Sequence, residues 1–370
     1  MLTAGLLLAA CGGGSDSSTA TASSAPDTTV ADPTVPATDA ATTTPSTAPP
    51  TTLPPTLDLN TLPGLLAVKA TSCAPEPYHY DEVVDNAIIC TLKPNGTDVK
   101  VVSQPGEIPW YGLAFTRGGT HLWYGELNTK RGFVIDLATG ERRERQRYEP
   151  LGLATSPDGQ LLLTSDLYSY VLSITNSDGS LFPDGSTSLP VSDDPLYDYN
   201  TDRVSWAPDS VRFAYLSTNG LDLECAEVWV GAIDGRPPVK ITDFTANPDG
   251  AEGCPESVRW SPTDDRILLH MLGKPKHVAE NLYAIDADGS DLTALTRGLP
   301  ADDPSGAVYA GAGNSTAGDW SPDGRYIVFL VGDGTTYQLA VMNADGSQVT
   351  PIPAPLGIST SLWSIRWSSG

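Results

Sequence analysis

The side chains best equipped for chemistry are five cysteines, Cys11, Cys73, Cys90, Cys225 and Cys254, and four histidines, His79, His121, His270 and His277. No C-x-x-C spacing supports a zinc site. If Cys11 is spent elsewhere, four cysteines remain, an even number compatible with two disulfides in any of three pairings. The histidines share no ligand spacing. His270 sits in the apolar run Ile267–Met271, where a hydrogen-bonded structural histidine is expected. There is no G-x-S-x-G nucleophile elbow, no H-E-x-x-H pair and no phosphate-cradling loop. Asp286-Ala287-Asp288-Gly289-Ser290-Asp291 has the opening of a calcium loop but lacks the bidentate glutamate at its twelfth position. Turn chemistry accounts for it. The residues therefore predict no catalytic group, no metal and no cofactor, and a protein that is not an enzyme.

Two segments instead combine adjacent carboxylates with tyrosine. One runs from Val191 to Tyr199 and holds Asp193, Asp194, Tyr197 and Tyr199; the other runs from Pro300 and holds Asp302, Asp303 and Tyr309. Carboxylates attract a basic or polyhydroxylated partner, and tyrosine adds contact area at low entropic cost. These seven residues are the candidate partner-binding face, with a merely solvated acidic loop as the alternative. Nucleic acid is an unfitting partner, because 21 Lys and Arg against 45 Asp and Glu give a net charge of −24.

The elements that must position these residues repeat along the chain. An aromatic or small residue followed by a Ser-Pro-Asp-Gly-like turn occurs at Phe115-Thr116, Thr155-Ser156, Trp206-Ala207, Trp260-Ser261, Trp320-Ser321 and Trp367-Ser368. Between these anchors fall Gly turns at Asn95-Gly96, Thr139-Gly140, Asp178-Gly179, Asp234-Gly235, Asp288-Gly289 and Asp345-Gly346. The two series alternate without a gap, six of each. Each anchor is expected to open a strand, a tight turn and a second apolar strand such as Tyr326–Leu330. A third alternating strand then leads to the Gly turn and a short fourth strand. The repeated tryptophans read as core between units, not as a ligand cage.

W-S-P-D-G followed by an N/D-A-D-G-S turn and a Leu/Val-Thr strand resembles the TolB-like, WD-related six-bladed β-propeller family, across essentially all of 58–370. Copies at 204–243, 258–297 and 318–353 are full; those at 110–148 and 151–190 are weaker. The resemblance implies an all-β fold of six four-stranded antiparallel blades. It also implies binding of partner proteins or other envelope components through a funnel face. Because the chain begins on a Gly turn and stops just after an anchor, the closing blade is expected to draw strands from both termini. Leu362–Trp367 would supply its inner strand, then Leu65–Ala70, Ala87–Leu92 and Val99–Ser103. In such a ring Cys225, before a third strand, and Cys254, in the connection to the next blade, emerge on one face. The expected pairing is therefore Cys225–Cys254, with Cys73–Cys90 inside the closing blade.

Upstream of the repeats the chain changes character. Leu8-Ala9-Ala10-Cys11 resembles the bacterial lipobox, which implies cleavage after residue 10 and a diacylglyceryl thioether on Cys11. The apolar run lacks a basic residue ahead of it, the first being Lys69, so the true start is expected upstream. A plain secretory signal is the alternative. Residues 12–57 contain 13 Thr, 8 Pro, 8 Ala and 6 Ser and no aromatic or basic residue. Such a tether cannot bury enough apolar surface to offset its ordering entropy. The organisation read from the sequence is thus a signal peptide at 1–10, a lipidated cysteine and disordered tether at 11–57, and a propeller at 58–370. The expected function is an extracytoplasmic, membrane-anchored interaction scaffold for an envelope protein. A cell-wall glycan-binding module, or a propeller lyase or hydrolase acting on polysaccharide or peptide, is the alternative.

Overall fold

The computed structural model describes residues 56–73, 87–104, 107, 109–126, 131–145, 151–165, 172–176, 189–190, 203–217, 225–244, 253–272, 280–296, 314–332, 337–354, 356–357 and 364–368. Among the described residues helix is limited to two short 3-10 turns, Leu59–Thr61 and Arg117–Gly119. No helix there is long and apolar enough to cross a membrane.

Strands β1 (Leu65–Ala70), β2 (Ile88–Leu92) and β3 (Lys100–Val101) come first and lack an inner partner of their own. Blade I follows as β4 (Pro109–Thr116), β5 (His121–Glu126), β6 (Gly132–Asp136) and β7 (Arg142–Arg145). Blade II is β8 (Leu151–Thr155), β9 (Leu161–Ser165), β10 (Leu172–Asn176) and β11 (Leu189–Pro190). Blade III is β12 (Val204–Trp206), β13 (Arg212–Ser217), β14 (Glu227–Ala232) and β15 (Val239–Lys240). Blade IV is β16 (Cys254–Trp260), β17 (Arg266–Leu272), β18 (Asn281–Asp286) and β19 (Thr293–Ala294). Blade V is β20 (Asn314–Trp320), β21 (Tyr326–Gly332), β22 (Tyr337–Asn343) and β23 (Thr350–Pro351). The last strand, β24 (Ile365–Ser368), pairs antiparallel with β1, Leu66 opposite Trp367, and completes blade VI in the order β24-β1-β2-β3. Both chain ends therefore build the closing blade, as the order of the repeats predicts.

Each blade buries both faces against its neighbours, which is why its middle strands read as continuous apolar runs and not as alternating ones. In β21 five consecutive residues, Ile327 to Val331, are buried. Among the described residues, five hydrophobic clusters fill five of the six seams between neighbouring blades. Trp206 belongs to the one between II and III, Trp260 to III and IV, Trp320 to IV and V, and Trp367 to V and VI. The tryptophans are inter-blade core.

The anchor motif sits differently from the sequence expectation: it ends the inner strand and does not open it. Trp260, Trp320 and Trp206 are the last residues of β16, β20 and β12. The Ser-Pro-Asp-Gly residues then turn the chain into the second strand. Ser321 Oγ donates to Asp323 Oδ1 (2.6 Å) and accepts from the Tyr326 N–H (2.9 Å), while the Gly324 N–H reaches Ser321 O (2.8 Å). Ser156, Asp158, Gly159 and Leu161 repeat this network in blade II. The Ser156 hydroxyl holds the Asp158 carboxyl below the usual carboxylate range. One serine thus closes the hairpin and fixes the aspartate, which explains the motif.

Outer strands leave one edge unpaired, a route to unwanted strand addition. Lys100, Lys240, Pro190, Pro351 and the arginines of β7 guard those edges.

Candidate functional site

Six inner strands surround the propeller axis, and the residue just before each anchor decides what that axis offers. These residues are Ala114, Ala154, Ser205, Arg259, Asp319 and Arg366. An inner strand has its own free edge toward the axis, so its N–H groups need partners. Neighbouring blades supply them. The Trp260 N–H donates to Ser205 Oγ of the preceding blade (2.8 Å), and the Trp367 N–H donates to Asp319 Oδ2 (2.8 Å). The indoles point the same way: Trp206 Nε1 donates to Ala154 O (3.0 Å) and Trp320 Nε1 to Arg259 O (3.0 Å).

On the side of blades IV to VI this ring is charged. Arg259 Nε lies 4.0 Å from Asp319 Oδ1, and the charge of Arg366 acts on the same carboxylate. Burial pushes the Asp319 carboxyl above its ordinary range, against the pull of both guanidiniums and of the Trp367 and Trp320 N–H groups. Further along the inner strands, Arg203 Nη2 bonds Glu256 Oε2 at 2.9 Å across the seam between blades III and IV. Ser257 stands opposite His270 in the β16–β17 register. His270 is 3% exposed, and its Nε2 lies 3.2 Å from Glu280 Oε2. It is a buried, hydrogen-bonded histidine, as its apolar strand suggests. The axis is thus asymmetric, alanine on blades I and II and alternating guanidinium and carboxylate on blades IV to VI.

The four paired cysteines fall where the ring requires. Cys73 and Cys90 form a disulfide within blade VI, with Cα atoms 5.9 Å apart. Cys225 and Cys254 form a second one, Cα atoms 5.2 Å apart, that ties blade III to blade IV. Cys254 is the first residue of inner strand β16 and not part of the preceding connection, a small correction to the sequence expectation. His121 lies in blade I, hydrogen-bonded to Thr120 Oγ1 (2.8 Å), far in the repeat series from His270. His79 and His277 lie outside the described residues, as do Cys11, Asp193, Asp194, Tyr197, Tyr199, Asp302, Asp303 and Tyr309. The Asp286–Asp291 segment is a turn: the Gly289 N–H donates to Asp286 O (2.8 Å) and the Ser290 N–H to Asp288 Oδ1 (2.9 Å). Among the described residues no group of three or more His, Cys, Asp or Glu is placed to hold a metal ion.

Sequence reasoning missed the charged axis. Its signal was present as Arg259-Trp260, Asp319-Trp320 and Arg366-Trp367: a charged residue recurring immediately before a buried tryptophan.

No protein-family model and no curated protein matches the sequence. Solved structures do. TolB from Acinetobacter baumannii superposes with a TM-score of 0.58 at 17% identity, covering 82% of this chain and 66% of that one. A TolB from Agrobacterium tumefaciens gives 0.53 at 15% identity, covering 83% and 99%. The fold is that of a TolB-like six-bladed propeller. A chain of a nidogen/laminin complex shares it too, with a TM-score of 0.55 at 13% identity over 82% of this chain and 98% of that one. The TolB-like propeller here spans just under two thirds of the length of the Acinetobacter structure.

Proposed function

We propose that this chain is an extracytoplasmic lipoprotein, anchored through Cys11, whose TolB-like propeller binds an envelope protein and catalyses no reaction. The observation that carries this reading is topological. Asp193, Asp194, Tyr197 and Tyr199 join outer strand β11 to inner strand β12, and Asp302, Asp303 and Tyr309 join β19 to β20. In antiparallel four-stranded blades, all outer-to-inner connections leave from the same end of the ring. Insertions there add little closure entropy and carry function without disturbing the blades. Likeness to TolB structures supports the reading at the level of fold, and two disulfides support an oxidising compartment.

The test is affinity capture from the organism's own envelope. Tyr197→Ala with Tyr199→Ala should weaken capture of a protein partner while leaving Tm nearly unchanged. Capture that survives this pair together with Asp302→Asn and Asp303→Asn shows that the partner binds elsewhere. Recovery of wall glycan without protein turns the reading to a glycan-binding module, and cleavage of that glycan turns it to an enzyme.

A further inference from the structure

Charge is distributed unevenly on this acidic chain. Six of its 21 Lys and Arg (Lys130, Arg131, Arg142, Arg143, Arg145 and Arg147) fall within residues 130–147, against three carboxylates, so this stretch is basic in a chain of net charge −24. The fold places Arg142, Arg143 and Arg145 on one strand, β7, and Arg131 just ahead of its partner β6. β7 is the outermost strand of blade I, and its register sets Arg145 opposite Gly132, beside Arg131, and Arg143 opposite Val134.

The arginines at this edge divide into two sets. Arg142 is structural: its guanidinium lies 3.7 Å from the Phe133 ring centroid, bonds Tyr124 Oη (2.8 Å) and pairs with Glu107. Arg143 and Arg131 are exposed, Arg131 beside Glu144 with Nε 3.2 Å from its carboxylate. Guarding a strand edge does not explain this density. A single lysine suffices in β3 (Lys100) and in β15 (Lys240), and a proline in β11 and in β23.

We infer that the outer edge of blade I is a docking surface for anionic phospholipid headgroups. This rests on the lipid anchor proposed above, which supplies the bilayer. In that reading only the 46 residues from 12 to 57 separate the anchored Cys11 from the propeller. Guanidinium is suited to phosphate, which it grips through paired N–H donors. The acidity of the remaining surface is screened beyond about 8 Å at physiological salt, and a local basic edge acts within that range.

Full-length chain carrying Cys11→Ser, which removes the acyl group, should co-sediment with phosphatidylcholine vesicles containing about 30% phosphatidylglycerol, but not with pure phosphatidylcholine. About 1 M salt should release it. Each arginine near the surface contributes about five-fold, so Arg131→Gln, Arg143→Gln and Arg145→Gln together should weaken partitioning by about 100-fold with Tm retained. The control loses the same charge elsewhere: Lys100→Gln, Arg236→Gln and Lys240→Gln. Equal weakening by the control, or equal sedimentation with both vesicle types, overturns the assignment. Binding to soluble polyphosphate without vesicle partitioning overturns it in favour of a soluble polyanion. Because the assay uses neither the lipid on Cys11 nor the envelope partner, a failure here is distinct from a failure of partner capture.

Discussion

At Asp319, burial and two arginines pull in opposite directions. Desolvation raises its pKa, while Arg259, Arg366 and the Trp367 N–H favour the carboxylate. A carboxyl raised above its unfolded value stabilises the fold most below that value, about 3.9, and loses this contribution as pH rises through the folded pKa. Asp319→Asn keeps an acceptor for Trp367 but cannot titrate. The stability of the wild type relative to this variant, measured by urea midpoints, should therefore grow as pH falls from about 7 toward about 4.5. Asp319→Ala leaves two buried guanidiniums without their carboxylate and should destabilise by about 3 kcal/mol or more at neutral pH. Near-equal midpoints for the wild type and the alanine variant at neutral pH would show that the carboxylate does not hold blades V and VI together.

The Gly turns between third and fourth strands look equivalent in sequence and are not equivalent in the ring. Gly346 has φ +84, and a β-carbon there would lie 2.7 Å from Leu295 O of the preceding blade. Gly235 also has φ +84 but would meet nothing within 4 Å. Gly235→Ala should cost only the left-handed backbone penalty, about 1 kcal/mol. Gly346→Ala adds a backbone collision across a seam and should cost at least about twice as much. Thermal denaturation of the two variants side by side decides this; equal losses would mean that the seam yields freely. The turn type was legible from Asp-Gly spacing alone, because positive φ is a local demand. Which turn touches the next blade was not, because Leu295 is fifty-one residues away from Gly346.

For the whole molecule, closure is the stability question. β24 supplies the inner strand of blade VI, and Trp367 Nε1 donates to Pro63 O (2.8 Å). Removing residues 364–370 takes this strand, the Trp367 core contact and the Asp319 bridge at once. The expected result is a lower Tm for the entire propeller, read as one shifted transition; an unchanged Tm would mean that the ring closes without β24. The Cys225–Cys254 disulfide links two blades across 29 residues of sequence, so replacing both cysteines with alanine should cost about 2–4 kcal/mol.

The sequence by itself determined the repeat, the number of blades and the way the ends meet. Those follow from local rules: Ser-Pro-Asp-Gly and Asp-Gly close hairpins wherever they stand, and a half-blade at each end can bury its faces only by joining the other. It also carried the disulfide pairing once the blades were counted. What only the tertiary structure decided is the use of the axis. Arg259, Asp319 and Arg366 stand 60 and 47 residues apart, and no hydrophobic period links them. Their charges meet because six strands converge on one line, and a Coulomb interaction depends on that distance and on the burial around it. The basic edge of β7 shows the complementary case. Its arginines are adjacent in sequence, yet only the sheet order makes them an outer edge, with Arg142 turned to Tyr124 and Arg143 left to solvent.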